Sequence, residues 1–203
     1  MAEWTRNSFM IERWQAAMSG HFPDGTPSFL PPIGGASPVP CETCGVSRWI
    51  ELGGGPANDC NRPNIDIALG DGVDIVCNLE IENLPFHDGH ATYVKSIHSL
   101  QHLSRDGARH VLKEVYRILE PGGKFYIMVG DLTFICERIL EDGPYDGWLA
   151  CLFHGPETTP AFGHHKWSYT WESIRKELTS VGFSSVEFKG RYNYWEIQLE
   201  AIK

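Results

Sequence analysis

The sequence predicts an α/β fold: a sheet of parallel strands, abbreviated in its first half and finished by a C-terminal antiparallel hairpin. Three observations carry this expectation. Arg48-Trp-Ile-Glu51-Leu-Gly53-Gly54-Gly55 is an apolar strand that runs into three consecutive glycines. Between residues 104 and 119, Ala108, Val111, Leu112, Val115, Ile118 and Leu119 recur with helical period, and Pro121-Gly122-Gly123 stops that helix before the apolar run from Phe125 to Val129. Residues 185–190 and 194–202 alternate apolar and polar, with Tyr192-Asn193 in the turn between them.

Taken in order, Trp4, Ile11, Trp14 and Met18 are spaced by seven, three and four, which marks one apolar face of a helix ending near Gly20. Such a helix is too short to stand alone in water and must dock on something. A proline- and glycine-rich crossing follows to Pro40. Residues 1–45 therefore read as a strap packed on the main domain, 46–203, with a lid over the substrate or a dimer contact as the sharper alternatives. Cys41-x-x-Cys44 is half of a zinc site with no second half, so two reduced thiols in a turn are expected there.

Between Gly55 and the next strand, Asn64-Ile-Asp66-Ile67, lie only eight residues, and between Leu69 and the run from Val73 to Leu79 only three. A parallel crossover with a full helix needs about a dozen residues, so the first helix must shrink to a turn and none fits between the second and third strands. Tyr93 to Leu103 supplies the fourth strand and its exit. Leu132 to Leu140 reads as a helix with Asp131 as its cap, and Gly143 to Gly163 as an irregular aromatic insertion. Thr170 to Val181 reads as a helix with Thr170 and Ser173 as cap candidates and Gly182 as its stop.

Glycines at a strand end let a ligand approach the backbone, because no Cβ intervenes and positive φ costs nothing. The dinucleotide fingerprint G-x-G-x-x-G fails, since its third glycine falls on Asn58, and no G-x4-G-K-[ST] string occurs. An acid two places before the first glycine instead suits the first motif of enzymes that use S-adenosylmethionine (SAM). The order ELGGGP, NIDI, VDIVCNL, LPF, YVKSIHSLQHL, VYRILEPGGKFYI and GDL resembles the class I SAM-dependent methyltransferases, in particular the short predicted ones of the type-11 group, over residues 46–203.

That resemblance implies a Rossmann-like sheet with the cofactor along one edge. The methionine end would lie on Gly53, Gly54 and Gly55 with Glu51 beneath, the ribose on Asp66 and Ile67, and the adenine by Asn78 and Leu79. Ser96 and His98 would stand beside the methionine end. The sequence departs from the family where Asn78 replaces a frequent Asp and Gln101 a frequent Glu before His102. Related enzymes use E-x-x-E-H at this place to hold a divalent metal. His98-x-x-Gln101-His102 lacks both acids, so no metal is expected; Mg²⁺ prefers hard oxygen ligands.

Methyl transfer from a sulfonium is an in-line displacement helped by positioning and, for a hydroxyl nucleophile, by a base in the histidine range. The candidate bases are His98 and His102, which would share a face if their segment were helical, then His165 in the His164-His165 pair and Asp131 after the fifth strand. Their bland roles are a backbone-bonded buried imidazole for His102, solvated loop histidines for 164–165, and a helix cap for Asp131.

The net charge of −9 and the lack of any Lys/Arg run disfavour a nucleic-acid partner. No apolar run approaches the roughly eighteen residues of a membrane span, and six dispersed cysteines with no leader pattern suit a reduced, cytoplasmic protein. The expected function is methyl transfer from SAM to a hydroxyl or similar nucleophile of a small-molecule or saccharide-like acceptor. The alternatives are a SAM-binding module with lapsed catalysis that acts through a partner, and, disfavoured by Asn58, a nicotinamide oxidoreductase. Oligomeric state is not legible.

Overall fold

In the computed structural model the described residues are 47–55, 63–70, 72–143, 163–192 and 195–203. The expected N-terminal helix and crossing, the Cys41-x-x-Cys44 turn, the one-turn first helix after Gly55 and the interior of the aromatic insertion lie outside them.

The strands are β1 (Trp49–Leu52), β2 (Asn64–Asp66), β3 (Ile75–Val76), β4 (Ala91–Ile97), β5 (Leu119–Gly130), β6 (Ser185–Tyr192) and β7 (Glu196–Ile202). The helices are α1 (Arg105–Ile118), α2 (Leu132–Asp142) and α3 (Trp171–Val181), with a 3₁₀ turn at Leu100–His102. The strands form one sheet in the order β3-β2-β1-β4-β5-β7-β6. β1 to β5 run parallel, and β7 runs antiparallel between β5 and β6. The expected abbreviation and the closing hairpin are both present.

Two boundaries differ from expectation. The third strand keeps only Ile75–Val76 of the run from Val73 to Leu79, because the chain turns at Asn78, whose carbonyl accepts from Ile81 and Glu82 N–H at 3.1 and 2.9 Å. β5 starts at Leu119, before Pro121-Gly122-Gly123. Those turn residues are absorbed as a register shift, since Ala91 pairs Leu119 while Tyr93 pairs Lys124.

Helix ends follow the capping chemistry of the sequence. Ser104 accepts from Gly107 N–H at the start of α1, Thr170 and Ser173 form a reciprocal capping box on α3, and Gly182 ends α3 with a positive φ. The apolar stripe of α1, Val111, Leu112, Val115 and Ile118, joins Ile174 and Leu178 of α3 and the sheet residues Ile50, Val94, Phe125 and Leu199 in one buried core. Each such side chain contributes about 1.5–3 kcal/mol by leaving water. Arg109 clamps the two helices, donating to both oxygens of Glu177 at 2.9 Å. This core holds the carboxyl ends of β1, β2, β4 and β5 in place, and the candidate site stands there.

Candidate active site

The glycine turn does not present bare amides. Gly53 N–H donates to Ile65 O at 2.7 Å, Gly54 N–H to Asn64 Oδ1 at 3.0 Å, and Gly55 N–H to Asp66 Oδ2 at 3.0 Å. What the glycines supply is space. Gly53 has φ +65°, and a Cβ there would fall 2.2 Å from Ser99 Oγ; on Gly54 it would meet Asn64 Oδ1 at 2.6 Å. A Cβ on Gly55 would meet nothing within 4 Å among the described residues, so of the three this is the glycine with open space on its side-chain side for a ligand.

Asn64, fully buried at the start of β2, ties the turn together: its Nδ2 donates to Gly55 O and Gly72 O at 2.8 Å each. The sequence marked it only as the start of a strand. Asp66 accepts from Gly55 and, at 3.3 Å, from Ala68 N–H, which leaves further lone pairs on both oxygens. Asn78 Oδ1 accepts from Glu80 N–H at 3.1 Å, so its amide nitrogen is the part available to a ligand. Ile67 is half-exposed, whereas Leu79 and Ser96 are buried.

Glu51 is 4% exposed and its carboxylate lies 2.6 Å from Lys95 Nζ. The parallel register sets Glu51 opposite Lys95, so the two side chains leave the same face of neighbouring strands. Lys95 neutralises the motif acid from below, a role that strand spacing in the sequence did not reveal.

At the end of β4 the chain takes a left-handed turn on a residue with a Cβ: His98 has φ 54°. That conformation costs about 1–2 kcal/mol and persists where surrounding contacts hold it. Here His98 N–H donates to Met128 O at 2.9 Å, its ring stacks on Trp195, and its Nε2 lies 2.6 Å from Glu196 Oε1. Glu196 is 2% exposed and comes from β7, far along the chain. The expected shared helical face of His98 and His102 is not formed, because the left-handed turn at His98 precedes a single 3₁₀ turn. His102 is held by the main chain of His164 and Gly163 and packs edge-on to His165, with ring centroids 4.8 Å apart.

Burial pushes the His102 imidazole below its ordinary value; nearby His98 adds to this, while the bonds to His164 and Gly163 and the charge of Asp66 oppose it. A histidine depressed in the fold binds fewer protons than in the unfolded chain. Its contribution to stability is present above 6.5 and is lost as pH falls from there towards the folded value. On acidification through this range the drop in Tm should be smaller in His102→Asn than in the parent. Equal drops, measured by thermal melts across pH, would show that His102 carries no such linkage.

Asp131 is committed at both oxygens. Oδ1 accepts from Thr133 N–H at 3.0 Å as the cap of α2, and Oδ2 pairs with Arg191. At 1% exposure it acts as a structural pin, and this corrects its candidacy as a base. His165 is in the cluster: Gln101 Nε2 stands 2.7 Å from its Nε2 and 3.4 Å from His98 Nδ1. Gln101, Gly130, Ile135, His165, Trp167 and Tyr169 line a small cleft beside these rings. Among the described residues no three His, Cys, Asp or Glu side chains converge as a metal shell, and no helix is long and apolar enough to cross a membrane.

Residues 57–127 match the family described as a methyltransferase domain. No curated protein matches the chain in sequence. Among solved structures, a SAM-dependent methyltransferase from Thermotoga maritima, described as a possible histamine N-methyltransferase, is similar at 16% identity and TM-score 0.56, over 100% of this chain and 95% of its own. A SAM-dependent methyltransferase from Mesorhizobium loti is similar at 17% identity and TM-score 0.53, over 95% of this chain and 98% of its own. One from Archaeoglobus fulgidus reaches TM-score 0.54 at 13% identity, over 76% and 85%. At such identities the likeness is one of fold.

Proposed function

We propose that this chain is a class I SAM-dependent methyltransferase and that it methylates a hydroxyl or similar protic nucleophile of a small-molecule or saccharide-like acceptor, with His98 as base and Glu196 behind it. The observation that carries this is the 2.6 Å contact between His98 Nε2 and the buried Glu196 carboxylate, at the strand end next to the glycine turn. The fold and the domain supply the cofactor. When bound, SAM offers a methyl carbon on a sulfonium, whose S–C bond breaks with its electron pair returning to sulfur. The residues that would hold it are Asp66 for the ribose hydroxyls, Gly55 for close approach of the methionine end, and Asn78 with Ile67 and Leu79 for the adenine.

Of the protein's own groups, His98 faces Glu196 through Nε2–H and keeps the Nδ1 lone pair for the acceptor's proton. His98 Nδ1 would take up the acceptor's proton, and the carboxylate already in place would stabilise the imidazolium. The hydrogen bond from Gln101 Nε2 to Nδ1 is stretched, at 3.4 Å, and so weak enough for an entering hydroxyl to displace. The reading of lapsed catalysis drew on the missing acid at position 101. Glu196 supplies a carboxylate to His98 from another strand, which favours a working site.

Labelled SAM offered with a panel of phenols, methyl glycosides and primary amines tests the acceptor class. Label on the hydroxyl compounds is expected; label confined to the amines would overturn it. Turnover of the best panel acceptor should also survive a chelator, because the carboxylates Mg²⁺ would need around His102 are absent from the sequence motif. Loss of rate with chelator and recovery with Mg²⁺ would refute this.

A further inference from the structure

Gln101 stands in the middle of the imidazole cluster and is 5% exposed. Its main-chain carbonyl accepts from Lys166 and Trp167 N–H at 2.9 and 3.2 Å, which fastens the loop carrying His165 to the same residue. Its side-chain nitrogen faces two imidazoles, His165 Nε2 at 2.7 Å and His98 Nδ1 at 3.4 Å. A carboxamide nitrogen brings two hydrogens and accepts nothing, so each ring nitrogen it faces has to be the one with the lone pair. The remaining His98 nitrogen, Nε2, then carries the proton, and there it meets the Glu196 carboxylate at 2.6 Å. The three contacts that link Glu196, His98, Gln101 and His165 are together complementary in one arrangement of protons.

The opposite orientation of the amide fits worse. Turned over, the carbonyl oxygen would face both rings and require N–H at His98 Nδ1 as well as Nε2, a doubly protonated imidazole with no lone pair. It would also put the NH₂ where Oε1 now lies, buried without a partner among the described residues. Orphaned donors are rarer and costlier than an under-satisfied carbonyl oxygen.

We infer that Gln101 is a positioning residue that sets the tautomers of two histidines at once, holding His98 with its proton on Nε2 and His165 with its proton on Nδ1. It rests on the reading of His98 as base, and it gives the amide at 101 a reason. A carboxylate there would accept from both rings and leave His98 between two acids, protonated on both nitrogens and unable to take up a proton. The neutral donor keeps the base open.

Long-range ¹H–¹⁵N spectra of the full chain labelled at histidine read the tautomers directly, with His98→Gln and His165→Gln spectra for assignment. At neutral pH the parent should show His98 protonated at Nε2 and His165 at Nδ1. Gln101→Met, similar in size and unable to donate, should raise the share of His165 protonated at Nε2 and lower kcat with the best panel acceptor about tenfold, with affinity for S-adenosylhomocysteine within about twofold. Gln101→Glu should protonate both His98 nitrogens and lower kcat further, about a hundredfold. A packing role alone predicts the reverse order, since Glu keeps the shape of Gln. A parent His165 carrying its proton on Nε2, or Gln101→Glu as active as the parent, overturns the inference. Tautomers decide the positioning role whatever the rates, whereas a His98→Ala variant with parent kcat removes the base assignment whatever the tautomers.

Discussion

Glu196→Gln should lower kcat with a hydroxyl acceptor by about a hundredfold and leave affinity for S-adenosylhomocysteine within about threefold. General-base catalysis contributes about 10²–10⁴-fold, and on the proposed mechanism the carboxylate's share would be to favour an imidazolium formed on His98. Two features raise the expected loss. Glu196 is nearly inaccessible to water, so its charge acts on His98 with little screening. The contact at 2.6 Å is short enough for a charge-assisted bond once His98 is protonated. Gln matches Glu in volume and can keep the strand pairing of β7, so the variant should fold. His98→Ala should cost about as much, and the double variant little more than either alone, because the two act as one unit. A Glu196→Gln enzyme within twofold of the parent kcat would remove the dyad from the mechanism.

Glu196 is hidden in the sequence by the pattern of its own strand. Glu196, Gln198 and Glu200 alternate with Ile197, Leu199 and Ala201, and such alternation marks a strand with one wet face. In the fold that polar side is covered as well: Glu196 and Glu200 are buried, Gln198 accepts from Tyr126 Oη at 2.9 Å, and Glu200 pairs with Lys124 at 3.1 Å. Periodicity reports which residues share a face, not what lies against it. The same limit hid Lys95 beneath Glu51 and Asn64 beside Gly54, because each contact joins strands whose register only the folded sheet defines. What was legible was local. The glycine turn, the apolar stripe of α1, the Thr170–Ser173 cap and the C-terminal hairpin each declare themselves over a short stretch, where spacing and cap chemistry suffice. His98 was singled out from its place after a strand, but its left-handed turn was not foreseen, since positive φ is uncommon on a residue with a Cβ even for histidine.

Asp66→Ala should weaken binding of S-adenosylhomocysteine by roughly ten- to a hundredfold, the equivalent of about 1.5–3 kcal/mol for a charge-assisted hydrogen bond lost from a partly buried site. The structure adds a second reason for a large effect. Asp66 Oδ2 also receives Gly55 N–H at 3.0 Å, so the acid that would face the ribose also holds the glycine of the turn whose side-chain side is open among the described residues. Removing the carboxylate takes away a ligand contact and releases the turn that the ligand would rest on. Asp66→Asn separates the two contributions. Its carbonyl oxygen can still accept from Gly55, while the charge that strengthens bonds from ribose hydroxyls is gone, so an intermediate loss of about fivefold is expected. The anchoring of Gly54 by Asn64 Oδ1 at 3.0 Å is untouched in both variants, which keeps the rest of the turn in place and makes the comparison fair. Isothermal calorimetry on the full chain measures all three proteins. Unchanged affinity in Asp66→Ala would show that the ribose does not lie on Asp66, and an Asn variant as weak as Ala would assign the whole effect to charge, with no part for the hold on Gly55.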